Sequence, residues 1–157
     1  MSFDIEEQYD KIYRYCYFKL RKQTLAEDVT QETLLRYLER YDPTNTASAM
    51  KCLYTIARNL CIDEYRKPRM EALDDSIPDA ATEETLVTSL TVRSALAALP
   101  QEEQELLLLR YVNDEPISVI AKLYGRSRFS IYRRLTSASK HFRTELEKEE
   151  TDEPLER

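Results

Sequence analysis

The sequence predicts an all-α chain built as two small helical domains joined by a flexible linker. Three observations predict it. Apolar residues recur three and four positions apart in successive segments, the signature of amphipathic helices. The single glycine, Gly125, leaves no Asn-Gly or Asp-Gly turn between alternating apolar runs, so the usual hairpin signals are missing. Proline and acidic residues gather between residues 68 and 84, where apolar periodicity lapses, as in a linker.

The first helix is expected from Ile5 to Lys22, with Ile5, Tyr9, Ile12, Tyr13, Cys16, Tyr17 and Leu20 as one apolar core stripe. A second begins near Thr24, which with Glu27 three residues on makes a capping-box pattern. It buries Val29, Thr33, Leu34, Tyr37 and Leu38 and ends at Asp42-Pro43, since a residue before proline avoids the α region. Residues 42–48 read as a polar loop. A third helix covers Ala49–Lys67 and stops at Pro68. Leu53, Ile56, Ala57, Leu60 and Cys61 face inward, with Lys51, Thr55, Arg58, Asn59, Ile62, Asp63 and Arg66 on the other side. These three helices make the first domain, residues 1–67.

After the linker at 68–84, the second domain is expected over residues 85–147, followed by an acidic tail at 148–157. Its first helix lies near Glu84–Leu99 and ends at Pro100. The next spans Gln101–Val112, burying Leu106, Leu109 and Val112. Pro116 suits the first turn of a short helix to residue 124, where its missing N–H costs nothing. Ile117, Ile120, Ala121 and Leu123 are that helix's apolar side. Gly125 falls at its end, where a left-handed residue is usual. A long helix follows, striped by Ile131, Leu135, Ala138, Phe142 and Leu146.

Composition excludes several classes. No run of 18 apolar residues exists, so no membrane insertion is expected. The start, MSFDIEEQYDK, is acidic and polar where a secretory signal is basic and then apolar, so a cytoplasmic protein is expected. Cys16, Cys52 and Cys61 are odd in number and form no CxxC pair, which fits buried reduced thiols better than disulfides. His141 is the only histidine, leaving little for a zinc site or a Ser-His-Asp triad. No catalytic residue, cofactor or metal is expected.

Charge is segregated. The net charge of −6 would discourage nucleic acid, yet residues 126–143 carry six bases and no acid. Residues 1–67 balance 11 acids with 11 bases, residues 68–125 sum to −7, and residues 144–157 to −5. A cationic block confined to one segment is the footprint of nucleic-acid binding whatever the overall charge. A short helix, a glycine turn and a second helix with a basic outer face make a helix-turn-helix, whose second helix enters the major groove. Arg126, Arg128, Ser130, Tyr132, Arg133, Arg134, Ser137 and Lys140 are the candidate DNA-binding residues. Arg133 and Arg134 are placed at or near the bases, because they share with Ser130 and Ser137 the side opposite Ile131, Leu135 and Ala138.

The first half narrows the function by resemblance. Residues 26–40, AEDVTQETLLRYLER, resemble the region 2.2 helix of the sigma-70 family, with its D-x-x-Q-E core at Asp28, Gln31 and Glu32. Residues 53–67, LYTIARNLCIDEYRK, resemble the region 2.3–2.4 helix, matching L-Y-x-I-A-R-N-x-x-x-D-x-x-R at every named position. Residues 96–143 resemble region 4. With nothing like regions 1.1 and 3, the chain is similar to the extracytoplasmic-function group.

The resemblance implies a sigma factor that binds core RNA polymerase at the β′ clamp and β flap and recognises promoter DNA. Asp28, Gln31 and Glu32 would then bind the clamp. Asn59 and Asp63 would lie near −10 bases, with Lys51, Arg58, Arg66 and Lys67 on the backbone, and the 126–143 helix would read the −35 element. The loop 42–48 would help hold a flipped-out base. An anti-sigma factor is an implied partner. Cys52 stands where the family commonly has tryptophan, and Arg128-Phe129 and Tyr132 also depart from its pattern. Two other classes compete with this reading. A helix-turn-helix regulator would use the first domain as sensor or dimer module, leaving the Arg58-Asn59 and Asp63 face without purpose. An enzyme lacks the residues.

Overall fold

The computed structural model describes residues 4–40, 48–68 and 83–152. All secondary structure among these residues is helical. Residues 42–47 of the expected loop and 69–82 of the expected linker lie outside them. The helices are α1 Ile5–Leu20, α2 Gln23–Arg40, α3 Ala49–Arg66, α4 Glu83–Ala97, α5 Gln101–Leu107, α6 Ile117–Tyr124 and α7 Arg128–Asp152.

Asp4 starts α1 by accepting hydrogen bonds from the Glu6 and Glu7 N–H groups at 3.1 and 3.3 Å. This satisfies orphan donors and puts negative charge at the positive end of the helix dipole. Arg21 ends the helix in the left-handed region, φ 60°, its N–H bonded to the Tyr17 carbonyl at 2.8 Å. The helix therefore stops short of Lys22. That tight turn also corrects the second start. The Ala26 N–H bonds to the Lys22 carbonyl, so α2 begins at Gln23 and Thr24 lies inside it rather than capping it.

The helices α1, α2 and α3 pack together around Ile12, Tyr15, Cys16, Leu20, Val29, Leu34, Tyr37, Leu53, Tyr54, Ala57 and Cys61. Tyr15 and Tyr54 meet edge to face with centroids 5.3 Å apart, a favoured aromatic geometry. The expected α1 stripe needs correction. Tyr15 shares the Ile12–Cys16 side and is fully buried, whereas Tyr9, Tyr13 and Tyr17 stack as a half-buried ladder and Ile5 is exposed. Thr30 and Thr33, both buried, satisfy their hydroxyls on the carbonyls of Ala26 and Val29 at 2.6 and 2.7 Å. Leu38 is exposed, not buried. Cys16 and Cys61 are free and buried, and Cys52 is half-buried. Hydrogen bonding with Cys16, together with burial, pushes the Cys61 thiol up.

In the second half, α4 and α5 pack on α7. Leu99, Leu107 and Ala138 form a cluster with Leu96 and Phe142 against it, and Leu106, Leu109, Ile131 and Leu135 are also buried. The Ser94 hydroxyl donates to Glu149 at 2.6 Å, linking α4 to the far part of α7. Residues 108–112 form a π-helical turn, closed by the Asn113 N–H on the Leu108 carbonyl. This turn overturns one expectation. The wider turn rotates Val112 out to 53% exposure and brings Asn113 into the interior.

The chain divides into two compact units. One holds α1, α2, α3 and residues 118–125, and the other holds α4, α5, residues 108–117 and α7. The eight-residue α6 must cover an apolar side, and Ile120, Ala121 and Leu123 are buried with the helix grouped in the first unit.

Candidate nucleic-acid interface

Three helix faces collect the candidate residues. On α2, Asp28 and Gln31 are exposed and Glu32 is half-buried, turned away from Val29 and Leu34. Glu32 Oε2 pairs with Arg36 Nε at 2.7 Å, one helical turn along. The same side carries Leu35 and Leu38, 53% and 41% exposed. Sequence reading missed Leu35, and its signal was an apolar residue off the buried stripe. Acids and leucines side by side form a surface suited to a protein rather than to DNA.

On α3, Asn59, Asp63 and Arg66 are exposed and follow one another along one side, opposite Leu53, Ala57 and Cys61. Lys51 is half-buried. Lys67 is exposed and pairs with Glu64 at 2.9 Å. Within the same unit, the half-buried Arg58 guanidinium lies 5.4 Å from the centre of the Tyr124 ring. The side thus offers an amide, a carboxylate and a guanidinium, which can hydrogen-bond base edges and grip a phosphate.

The third face is on α7. Gly125 takes φ +65°, which a residue with a β-carbon adopts only with strain. Ser127 then caps α7, its hydroxyl accepting from the Ser130 N–H at 3.0 Å. Ile131, Leu135 and Ala138 are buried, so the opposite side of α7 faces outward. Arg128, Tyr132, Arg133, Ser137 and Lys140 are exposed there or on its flanks, and Arg126 is exposed in the turn. Ser130 is half-buried.

The two candidate base readers part company. Arg134 turns toward α5 and pairs with Glu102 at 2.6 Å, beside His141 Nδ1, which lies 2.8 Å from Glu103. Arg133 points outward, its guanidinium 5.8 Å from the centre of the Phe129 ring. On the other flank, a groove of about 490 Å³ gathers Arg110, Lys140 and Arg143 with Tyr111 and Tyr132. Phe129 was outside the candidate list, although a phenylalanine opposite the apolar stripe of a helix was its signal. Among the described residues, no group of three or more His, Cys, Asp or Glu could hold a metal ion. No helix there is long and apolar enough to cross a membrane.

Fold and faces together describe an all-helical class of protein with a basic helix face and a separate acidic, leucine-bearing one. Comparison with known proteins makes this specific. Residues 5–70 match Sigma-70 region 2 and residues 89–142 match Sigma-70, region 4. The chain is 32% identical over 139 residues to the ECF RNA polymerase sigma factor BldN of Streptomyces coelicolor, covering 80% of this chain and 52% of BldN. It is 30% identical over 132 residues to the ECF RNA polymerase sigma factor SigL of Mycobacterium tuberculosis, covering 78% of this chain and 75% of SigL. The sigma factor RpoE of Bartonella quintana, solved in complex with the anti-sigma factor NepR, shares the fold. Its TM-score is 0.65 at 17% identity, over 88% of this chain and 91% of that one. The chain belongs to the extracytoplasmic-function sigma factors of the sigma-70 family. It spans about half the length of the first relatives it matches, 52% of BldN and 50% of EcfG from Rhodopseudomonas palustris.

Proposed function

We propose that this chain is a promoter-specificity subunit that binds core RNA polymerase and directs initiation, with no catalysis of its own. The observation that carries the reading is the succession, in one chain, of a region 2 match over α1–α3 and a region 4 match over α4–α7. On this reading residues 1–67 are the −10 and polymerase domain and residues 85–147 the −35 domain. The matches at 5–70 and 89–142 support that division.

Asp28, Gln31 and Glu32 bind the β′ clamp, and the exposed Leu35 adds apolar area beside them. The β flap is the second polymerase contact, made by the −35 domain. Asn59 and Asp63 read the melted −10 strand, with Lys51, Arg58, Arg66 and Lys67 on phosphates. Unpairing a base costs a few kcal/mol, and a pocket that accepts an extruded base returns part of it. Arg133 reads the −35 major groove, while Arg126, Arg128 and Lys140 hold phosphates, which position but do not specify. The protein acts in the cytoplasm, and an anti-sigma factor that covers these faces controls it. The acidic segments flanking the basic block, −7 over residues 68–125 and −5 over 144–157, weaken DNA binding by the free chain.

The test is a titration of core polymerase with the wild-type chain and with a variant carrying Gln31→Ala and Glu32→Lys. Both positions lie on the outer side of α2, and Glu32 gives up only a solvent-exposed pair, so stability changes by about 0.5 kcal/mol or less. The expected result is weaker holoenzyme assembly with an unchanged helical spectrum. Equal affinity for core polymerase would remove the clamp assignment.

A further inference from the structure

The outward side of α7 carries a side chain that phosphate binding does not explain. Phe129, in the first turn, is 71% exposed, the most exposed of the large apolar side chains among the described residues. Four residues on, Arg133 lies on the same side with its guanidinium 5.8 Å from the Phe129 ring centre, within reach of a cation–π contact. The neighbouring Arg134 is drawn away by Glu102. The pair is therefore presented outward, beside the exposed Arg128 and Tyr132, at the leading end of a helix whose segment, residues 126–143, carries six bases and no acid. Ser127 caps this turn and fixes the direction in which Phe129 leaves the backbone.

Major-groove chemistry supplies a ligand for both members. Guanine presents O6 and N7 as paired acceptors for a guanidinium, and thymine is the base that presents a methyl group, which a phenyl ring can cover. Phe129 and Arg133 are separated by about 6 Å along the helix axis, between one and two base-pair steps of about 3.4 Å. Resting against the ring, the guanidinium has fewer conformations to lose when it meets guanine. We infer that Phe129 and Arg133 act as one reading unit. Phe129 covers the C5-methyl of a thymine and holds Arg133 against a guanine one or two base pairs away in the −35 element. This rests on the −35 reading of α7 and deepens it, making Phe129 a specificity-determining residue.

The test begins with the full chain bound to core polymerase and a duplex library randomised at the −35 element. In the selected duplex, each −35 thymine is replaced in turn by deoxyuridine, which removes the methyl and nothing else. One position is expected to lose about fourfold in affinity, the factor that follows from burying one methyl-sized group. With Phe129→Ala, that same replacement should cost nothing further, and Arg133→Ala should relax the guanine one or two positions away. Phe129 is solvent-exposed, so its replacement leaves the helical spectrum intact and the comparison interpretable. A sharp −35 preference combined with indifference to deoxyuridine everywhere, or an undiminished penalty in Phe129→Ala, overturns the thymine assignment and leaves the −35 reading standing. Selection of no −35 preference at all overturns both.

Discussion

Replacing Arg133 and Arg134 by alanine, one at a time, should give unequal results although the residues are adjacent. Arg134 Nη1 lies 2.6 Å from Glu102 Oε1, with the two side chains 39% and 45% exposed. At that exposure solvent screening holds the pair to about 0–1 kcal/mol of stability. Arg134→Ala should therefore lower the melting temperature slightly and leave the −35 sequence profile unchanged. Among the described residues Arg133 is engaged only by the Phe129 ring, which leaves its guanidinium able to meet a base edge. Its removal should cost about 1–3 kcal/mol of specific binding, roughly 5- to 150-fold. Competition binding of holoenzyme to a panel of single-base −35 variants separates the cases. Arg133→Ala should flatten preference at one position, whereas a phosphate contact would weaken all sequences alike and lower the salt slope by about one unit. A flattened profile in Arg134→Ala, with an intact one in Arg133→Ala, would refute the reasoning from the Glu102 pair.

Two further outcomes follow from the first unit. Asn59→Ala should impair opening of the −10 region more than closed-complex binding, and permanganate reactivity of unpaired thymines reads this directly. Equal reactivity in mutant and wild type would mean that the outer side of α3 does not meet the melted strand. For the thiols, maleimide should label Cys52 in the native protein at neutral pH, while Cys16 and Cys61 label only after unfolding. Burial shields both of these, and the raised Cys61 thiol stays protonated there. Rapid native labelling of all three would contradict the packing of α1 on α3.

Much of the fold was legible because its signals are local. Gly125 marked the end of α6 and is left-handed, and Ile131, Leu135 and Ala138 marked the buried side of α7. What failed depended on geometry that periodicity assumes. The π turn at 108–112 breaks the 3.6-residue rhythm, so Val112 was expected inside and Asn113 was not. The left-handed Arg21 moved the start of α2 ahead of a plausible cap at Thr24. Tyr54 went unnoticed as core because it sits within a functional-looking motif, although it is buried against Tyr15. The candidate faces on α2 and α3 could be placed by helical spacing. The parting of Arg133 from Arg134 was half legible, since Arg134 lies three and four residues from the buried Ile131 and Ala138, but its partner Glu102, 32 residues away in sequence, was not.

One reaction measures promoter-selective initiation by this chain. Core polymerase, free of any sigma factor, transcribes a fragmented genomic library with and without this chain, and the 5′ ends of the RNA are sequenced. A small set of start sites that require the chain is expected, each preceded by shared −10 and −35 sequences. Start sites that are the same with and without the chain, at concentrations that saturate core polymerase, would contradict that selectivity.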